Sequence, residues 1–89
     1  MNKPEEAVIA YDKAIEINPH DSYTWYMKGT VLGNSGKSDE AIKAYDKAIE
    51  LNPWDFAAWN GKERALDQLN KHEEAIKAYE KAKEIVSRA

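Results

Sequence analysis

One phrase of about fifteen residues is written three times in this chain, at a constant spacing of 34 residues. It reads EEAVIAYDKAIEINP over residues 5–19, DEAIKAYDKAIELNP over 39–53 and EEAIKAYEKAKEIVS over 73–87. A fixed period of about 20–50 residues marks a stacked repeat architecture, in which no unit can bury its apolar face alone. Within the middle copy, Ala41, Ile42, Tyr45, Ala48 and Ile49 recur at helical spacing. Lys43, Asp46, Lys47 and Glu50 fall on the opposite side, so the phrase predicts an amphipathic helix.

The segments between the copies are helical too. Asn18-Pro19 and Asn52-Pro53 end the first and second copies, because the residue before a proline is pushed out of the α region. Asp21 or Ser22, and then Asp55, are placed to cap the helices that follow. Those helices run to about Ser35 and Leu69, closed by turns at Gly36-Lys37 and Asn70-Lys71. Pro4 suits the first turn of the opening helix. The expected fold is all-α: about five helices in one domain over 1–89, joined by short turns into antiparallel hairpins. Ala14, Ala48 and Ala82 recur where a larger side chain would hold neighbouring helices apart. Tyr45, Tyr79, Trp25 and Trp59 read as core anchors, and the exposure of Trp54 is open.

Trp25, Gly29, Leu32, Ala41, Tyr45, Ala48 and Pro53 resemble the tetratricopeptide repeat signature in type and spacing, and Trp59, Leu66, Ala75, Tyr79 and Ala82 repeat it. The resemblance implies a right-handed solenoid. It divides the chain into a half repeat over 1–21 (a second helix only), a repeat over 22–55 and a terminal repeat over 56–89. Lys28 and Lys62 stand where the family often has apolar residues. Glu63 replaces the glycine found at Gly29, so the second hairpin is expected to pack less closely there. In the last copy Lys83 replaces an isoleucine and Ser87 the proline, which reads as a polar, solvent-facing array end near Ala89.

In the family it resembles, the first helix of each repeat lines a concave groove that binds peptides or helices. Here that helix carries Tyr23, Tyr26, Met27, Thr30 and Asn34. The corresponding positions of the next unit are Ala57, Asn60, Gly61, Arg64 and Gln68. The tyrosines offer contact area with a polar tip, while Asn60 and Arg64 offer register-fixing hydrogen bonds. Of the Lys, Asn and Arg that some relatives use to clamp a C-terminal carboxylate, only Asn60 and Arg64 are present, so tail binding of that kind is not expected. A protein or peptide partner is the leading expectation. The second is self-association, because the opening helix lacks the mate that Ala7, Val8, Ile9, Tyr11 and Ala14 would face; the other account of that missing mate is a chain excised from a longer array.

Composition excludes several other classes. The net charge of −3 leaves no basic stripe for a phosphate backbone, so no nucleic acid is expected. There is no cysteine, which removes disulfides, thiolate metal sites and thiol catalysis and suits a cytoplasmic protein. No apolar run approaches the about 20 residues that span a bilayer, and the opening residues lack a signal-peptide pattern. Gly33-Asn34-Ser35-Gly36-Lys37-Ser38 imitates the end of a phosphate loop, but Val31 stands where its first glycine belongs and a helix precedes it. It reads as a turn. His20 and His72 are too far apart for a metal pair, and the acid pairs Glu5-Glu6, Asp39-Glu40 and Glu73-Glu74 each begin a helix, where negative charge is favoured. No metal, cofactor or catalytic activity is expected.

Overall fold

The computed structural model describes residues 3–88; the array-end reading of Ala89 lies outside them. Five helices follow one another: α1 (Pro4–Ile17), α2 (Ser22–Asn34), α3 (Ser38–Leu51), α4 (Phe56–Gln68) and α5 (His72–Arg88). There is no strand among the described residues. Sequential helices pack as antiparallel neighbours, α2 on α3 and α4 on α5 most closely, and α4 reaches back to α2. The fold is the stacked-hairpin solenoid that the period predicts.

The boundaries are set by local chemistry that repeats every 34 residues. Asn18 and Asn52 end their helices, and their side-chain Oδ1 atoms accept from the backbone N–H of His20 and Trp54, both at 3.2 Å. The Asp21 carboxylate then caps α2 by accepting from the Tyr23 N–H at 3.1 Å, and Asp55 caps α4 by accepting from the Ala58 N–H at 3.3 Å. At the other end of these helices the chain enters the left-handed region, at Gly36 (φ 82°) and at Asn70 (φ 62°). The next N–H, of Lys37 or Lys71, bonds the carbonyl of Leu32 or Leu66, both at 2.9 Å, which satisfies an orphan carbonyl and reverses the chain. The phosphate-loop look-alike is therefore a helix end and its turn. The acid pairs do lie in the first turns of α1, α3 and α5.

Trp25 and Trp59 are half-buried rather than deep core residues. Each donates its indole N–H to the carbonyl of the proline six residues earlier, Pro19 at 3.0 Å and Pro53 at 2.9 Å. Each also lies under a lysine, Lys28 or Lys62, whose Nζ is 5.6 Å from the ring centroid. The same lysines reach back to the preceding helix and pair with Asp12 and Asp46 at 2.7 Å. An apolar residue at 28 or 62 would pack but would not make this tie.

Small residues carry the core. Ala41 and Ala48 are fully buried, as is Ala58, and with Ala44, Leu32, Ala65 and Leu66 they let the helices approach closely. Tyr45 is the large residue at the centre, 5% exposed. Its ring lies between two glycines from different helices: a Cβ built on Gly29 would come within 2.8 Å of it, and one on Gly61 within 2.5 Å. Only a residue without a side chain fits on either side.

Three expectations need correction. Tyr79, the equivalent of Tyr45, is 49% exposed, and Ile76 is 55% exposed. Tyr79 lacks both glycines that enclose Tyr45: Glu63 on α4 stands at the place of Gly29, and no described helix follows α5 to supply the second. For the same reason the outer face of α5 is not polar, since Ile76, Tyr79 and Val86 all reach solvent there. Ala14 is exposed although Ala48 and Ala82 are buried, because no described helix packs on that side of α1. Trp54 is exposed at its turn, with the Arg88 guanidinium 5.3 Å from its ring; it contacts the far end of α5.

Candidate interaction groove

Between α2 and α4 lies a solvent-open hollow of about 130 Å³. Tyr26, Thr30 and Asn34 enter it from α2, and Ala57, Asn60, Gly61, Arg64 and Gln68 from α4. Its back wall is Tyr45. The helical spacing that singles out these residues brings them together because α2 and α4 are the first helices of consecutive hairpins, stacked side by side.

The floor is held rigidly. The Thr30 hydroxyl donates to the Tyr26 carbonyl at 3.1 Å and accepts from the Tyr45 phenol at 3.3 Å. The Tyr26 and Tyr45 rings are 6.0 Å apart and tilted, and Tyr23 continues the series 6.2 Å from Tyr26. Burial pushes the Tyr45 phenol above its ordinary range, so it stays a neutral donor. Gln68 is partly committed: its Oε1 accepts from the buried Ser38 hydroxyl at 2.6 Å, tying α4 to the start of α3. Arg64 is exposed and is the one charged residue in the lining.

Two of the ten residues singled out by sequence stand apart from this hollow. Tyr23 is at the rim, 64% exposed, and Met27 is half-buried at the position corresponding to Gly61, which faces the preceding helix. Conversely, Phe56 lines the hollow and is exposed, yet sequence reasoning passes over it. It stands at the first residue of α4, where the preceding repeat has Ser22, so periodicity gives no sign of it. An aromatic residue just after a capping Asp is the signal that would have found it.

The other candidate surface divides. Of the five α1 residues, Val8 packs against the cluster around Leu32 and Tyr45, and Ala7 and Tyr11 are half-buried. Ile9 and Ala14 are open. At the opposite end of the stack, Ile76 and Tyr79 flank Glu63, Asp67 and His72. His72 Nδ1 is 2.9 Å from the Asp67 carboxylate. Burial, then the neighbouring Asp67, raises the Glu63 carboxyl above its ordinary 4.5. The folded state thus holds a proton that the unfolded chain releases, so this group favours folding below the ordinary value and loses that contribution as pH rises through the raised one. Glu63→Gln is expected to remove this loss. In urea melts its midpoint should gain on the wild type as pH rises through that window; a constant difference at every pH would refute the assignment.

Five helices in antiparallel hairpins, a 34-residue period and a groove lined by alternate helices define a helical-repeat scaffold. The chain belongs to the tetratricopeptide repeat family: residues 26–89 match one description of that repeat and residues 1–21 another. It is a protein-interaction module of that kind. Among solved structures it is similar to the one described as the crystal structure of MamA protein, with a TM-score of 0.92 and 29% identity over 98% of this chain and 48% of that one. It is likewise similar to MamA MSR-1, with a TM-score of 0.91 and 30% identity over 96% of this chain and 49% of that one. For MamA AMB-1 the TM-score is 0.91, with 30% identity over 97% of this chain and 51% of that one. The chain therefore spans about half the length of these neighbours. No curated protein matches it in sequence. No described helix is long and apolar enough to cross a membrane, and no group of His, Cys, Asp or Glu among the described residues could hold a metal ion.

Proposed function

We propose that this chain, organised as a half repeat, a repeat and a terminal repeat, binds a peptide or helix of a protein partner in the groove between α2 and α4. The observation that carries this reading is the convergence of Tyr26, Thr30, Asn34, Asn60 and Arg64 on one open hollow with a rigid floor. Tyr26 and the exposed Tyr23 and Phe56 give apolar contact area, and Asn60 and Arg64 give directional bonds that set the partner's register. The lining offers donors, acceptors and ring faces but no nucleophile paired with a base, which suits a non-catalytic module.

Tyr26→Ala together with Arg64→Ala is expected to weaken partner binding by about a hundredfold or more, since an aromatic and an arginine anchor each contribute about 1–2 kcal/mol or more. A pull-down from the source cell, with the double variant as control, checks it. A protein retained by the wild type and lost on the folded double variant supports the groove; a pattern unaltered by the substitutions refutes it.

A second reading is self-assembly through α1. The exposure of Ala14, where Ala48 and Ala82 are buried, favours it, as does Ile9, 56% exposed on the same helix.

A further inference from the structure

The α2–α3 and α4–α5 hairpins present the same face along the stack, and only the first is covered. There α4 lies across Tyr45 with Gly61 against its ring, while Arg64 and Gly33 line one hollow. Thirty-four residues on, Tyr79 stands for Tyr45 and Ile76 for Ile42, while Glu63 and Asp67 stand for Gly29 and Gly33. This second face is apolar with an acidic border, and it is open.

The open side of α1 carries what α4 brings to the covered face. Ala10, Lys13 and Ala14 have the spacing of Gly61, Arg64 and Ala65, small–basic–small, and Ile9 and Ile17 flank them at the positions of Asn60 and Gln68. All five of these α1 residues are exposed. We infer that copies of this chain stack head to tail, α1 of one copy lying across the Tyr79 face of the next.

In that register Lys13 takes the place of Arg64 and meets Glu63 and Asp67, which stand where the covered copy has Gly29 and the Gly33 that shares a hollow with Arg64. The His72 ring already sits on Asp67, and the Arg64 guanidinium lies near Glu63. Burial, and then the neighbouring Asp67, raises the Glu63 carboxyl, and a lysine brought beside the pair would favour its charged form. Ala10 would need more room than Gly61, and the Tyr79 ring, exposed with only the flexible Lys83 ammonium 5.4 Å from its centroid, has it, unlike the enclosed Tyr45. The two surfaces differ, so the contact is heterologous: an open assembly keeps a free α1 at one end and a free end face at the other, and a filament grows unless a ring closes. The end face shares no lining residue with the groove.

This inference rests on the self-assembly reading and names the surface that α1 takes. Sedimentation velocity over a concentration series tests it, using wild type, Ala10→Glu and Tyr79→Glu, all at exposed positions and each checked for helicity. The average mass of the wild type should rise with concentration, and each variant alone should associate at least about tenfold more weakly. An equal mixture of the two variants should form a one-to-one dimer, because one retains its end face and the other its α1. Lys13→Glu should also weaken association, and Asp67→Lys on the receiving copy should restore it. A wild type that stays monomeric to about 1 mM overturns both the inference and the reading beneath it. Undiminished dimerisation of Tyr79→Glu, with no heterodimer in the mixture, would mean α1–α1 pairing; it overturns head-to-tail stacking and leaves self-assembly standing.

Discussion

Tyr45→Ala is expected to destabilise the fold by about 3–5 kcal/mol, the range for removing a buried aromatic side chain. Tyr45 is 5% exposed and touches three helices: its own α3, α2 through Gly29 and α4 through Gly61. Removing it opens the junction between the two hairpins, and glycines on either side cannot fill the space. A chain of this size has a total stability of about 5–15 kcal/mol, so the loss should lower the thermal midpoint by more than about 10 °C. Tyr79→Ala is the internal control. The same residue type at the same repeat position is 49% exposed, so its truncation should cost no more than about 1 kcal/mol. Thermal melts followed by circular dichroism check both. Equal losses would mean that the two tyrosines are enclosed alike, contrary to the structure.

Ala48→Leu should cost about 1–3 kcal/mol by overpacking, because Ala48 is 0% exposed at a helix–helix contact. The three added carbons can be accommodated only by moving α3 away from its neighbours. Ala14→Leu, one period earlier, adds the same atoms to an exposed surface and should change stability by no more than about 0.5 kcal/mol. Urea denaturation of the pair measures the contrast. An unchanged midpoint for Ala48→Leu would show that Ala48 is not at a close contact.

Much of the groove was readable beforehand, since helical spacing and the 34-residue period together assign Tyr26, Thr30, Asn34, Asn60 and Arg64 to one side of alternate helices. Local chemistry also marked the element ends, through the Asn-Pro stops, the Asp caps and the turns at Gly36 and Asn70. Pattern reading fell short where a side chain's role depends on a partner outside its own helix. The tryptophans do pack against the core, but spacing gave no sign that each also bonds a proline carbonyl six residues back. Lys28 and Lys62 stand where the family often has apolar residues, and only the structure shows that each joins a tryptophan face to an aspartate on the preceding helix. Phe56 broke no pattern and so drew no notice, and the Ser38–Gln68 bond joins residues 30 positions apart.

The sequence by itself determined the helices, their limits, their inward faces and the family, because these follow from short-range spacing and from caps within a few residues. Only the tertiary structure decided which of three nearly identical faces is covered. Tyr45 and Ala48 are buried while Tyr79 and Ala14 are not, although the surrounding words are almost the same. Burial is a property of the neighbouring helix, and a repeated phrase has no means of stating whether that neighbour is there.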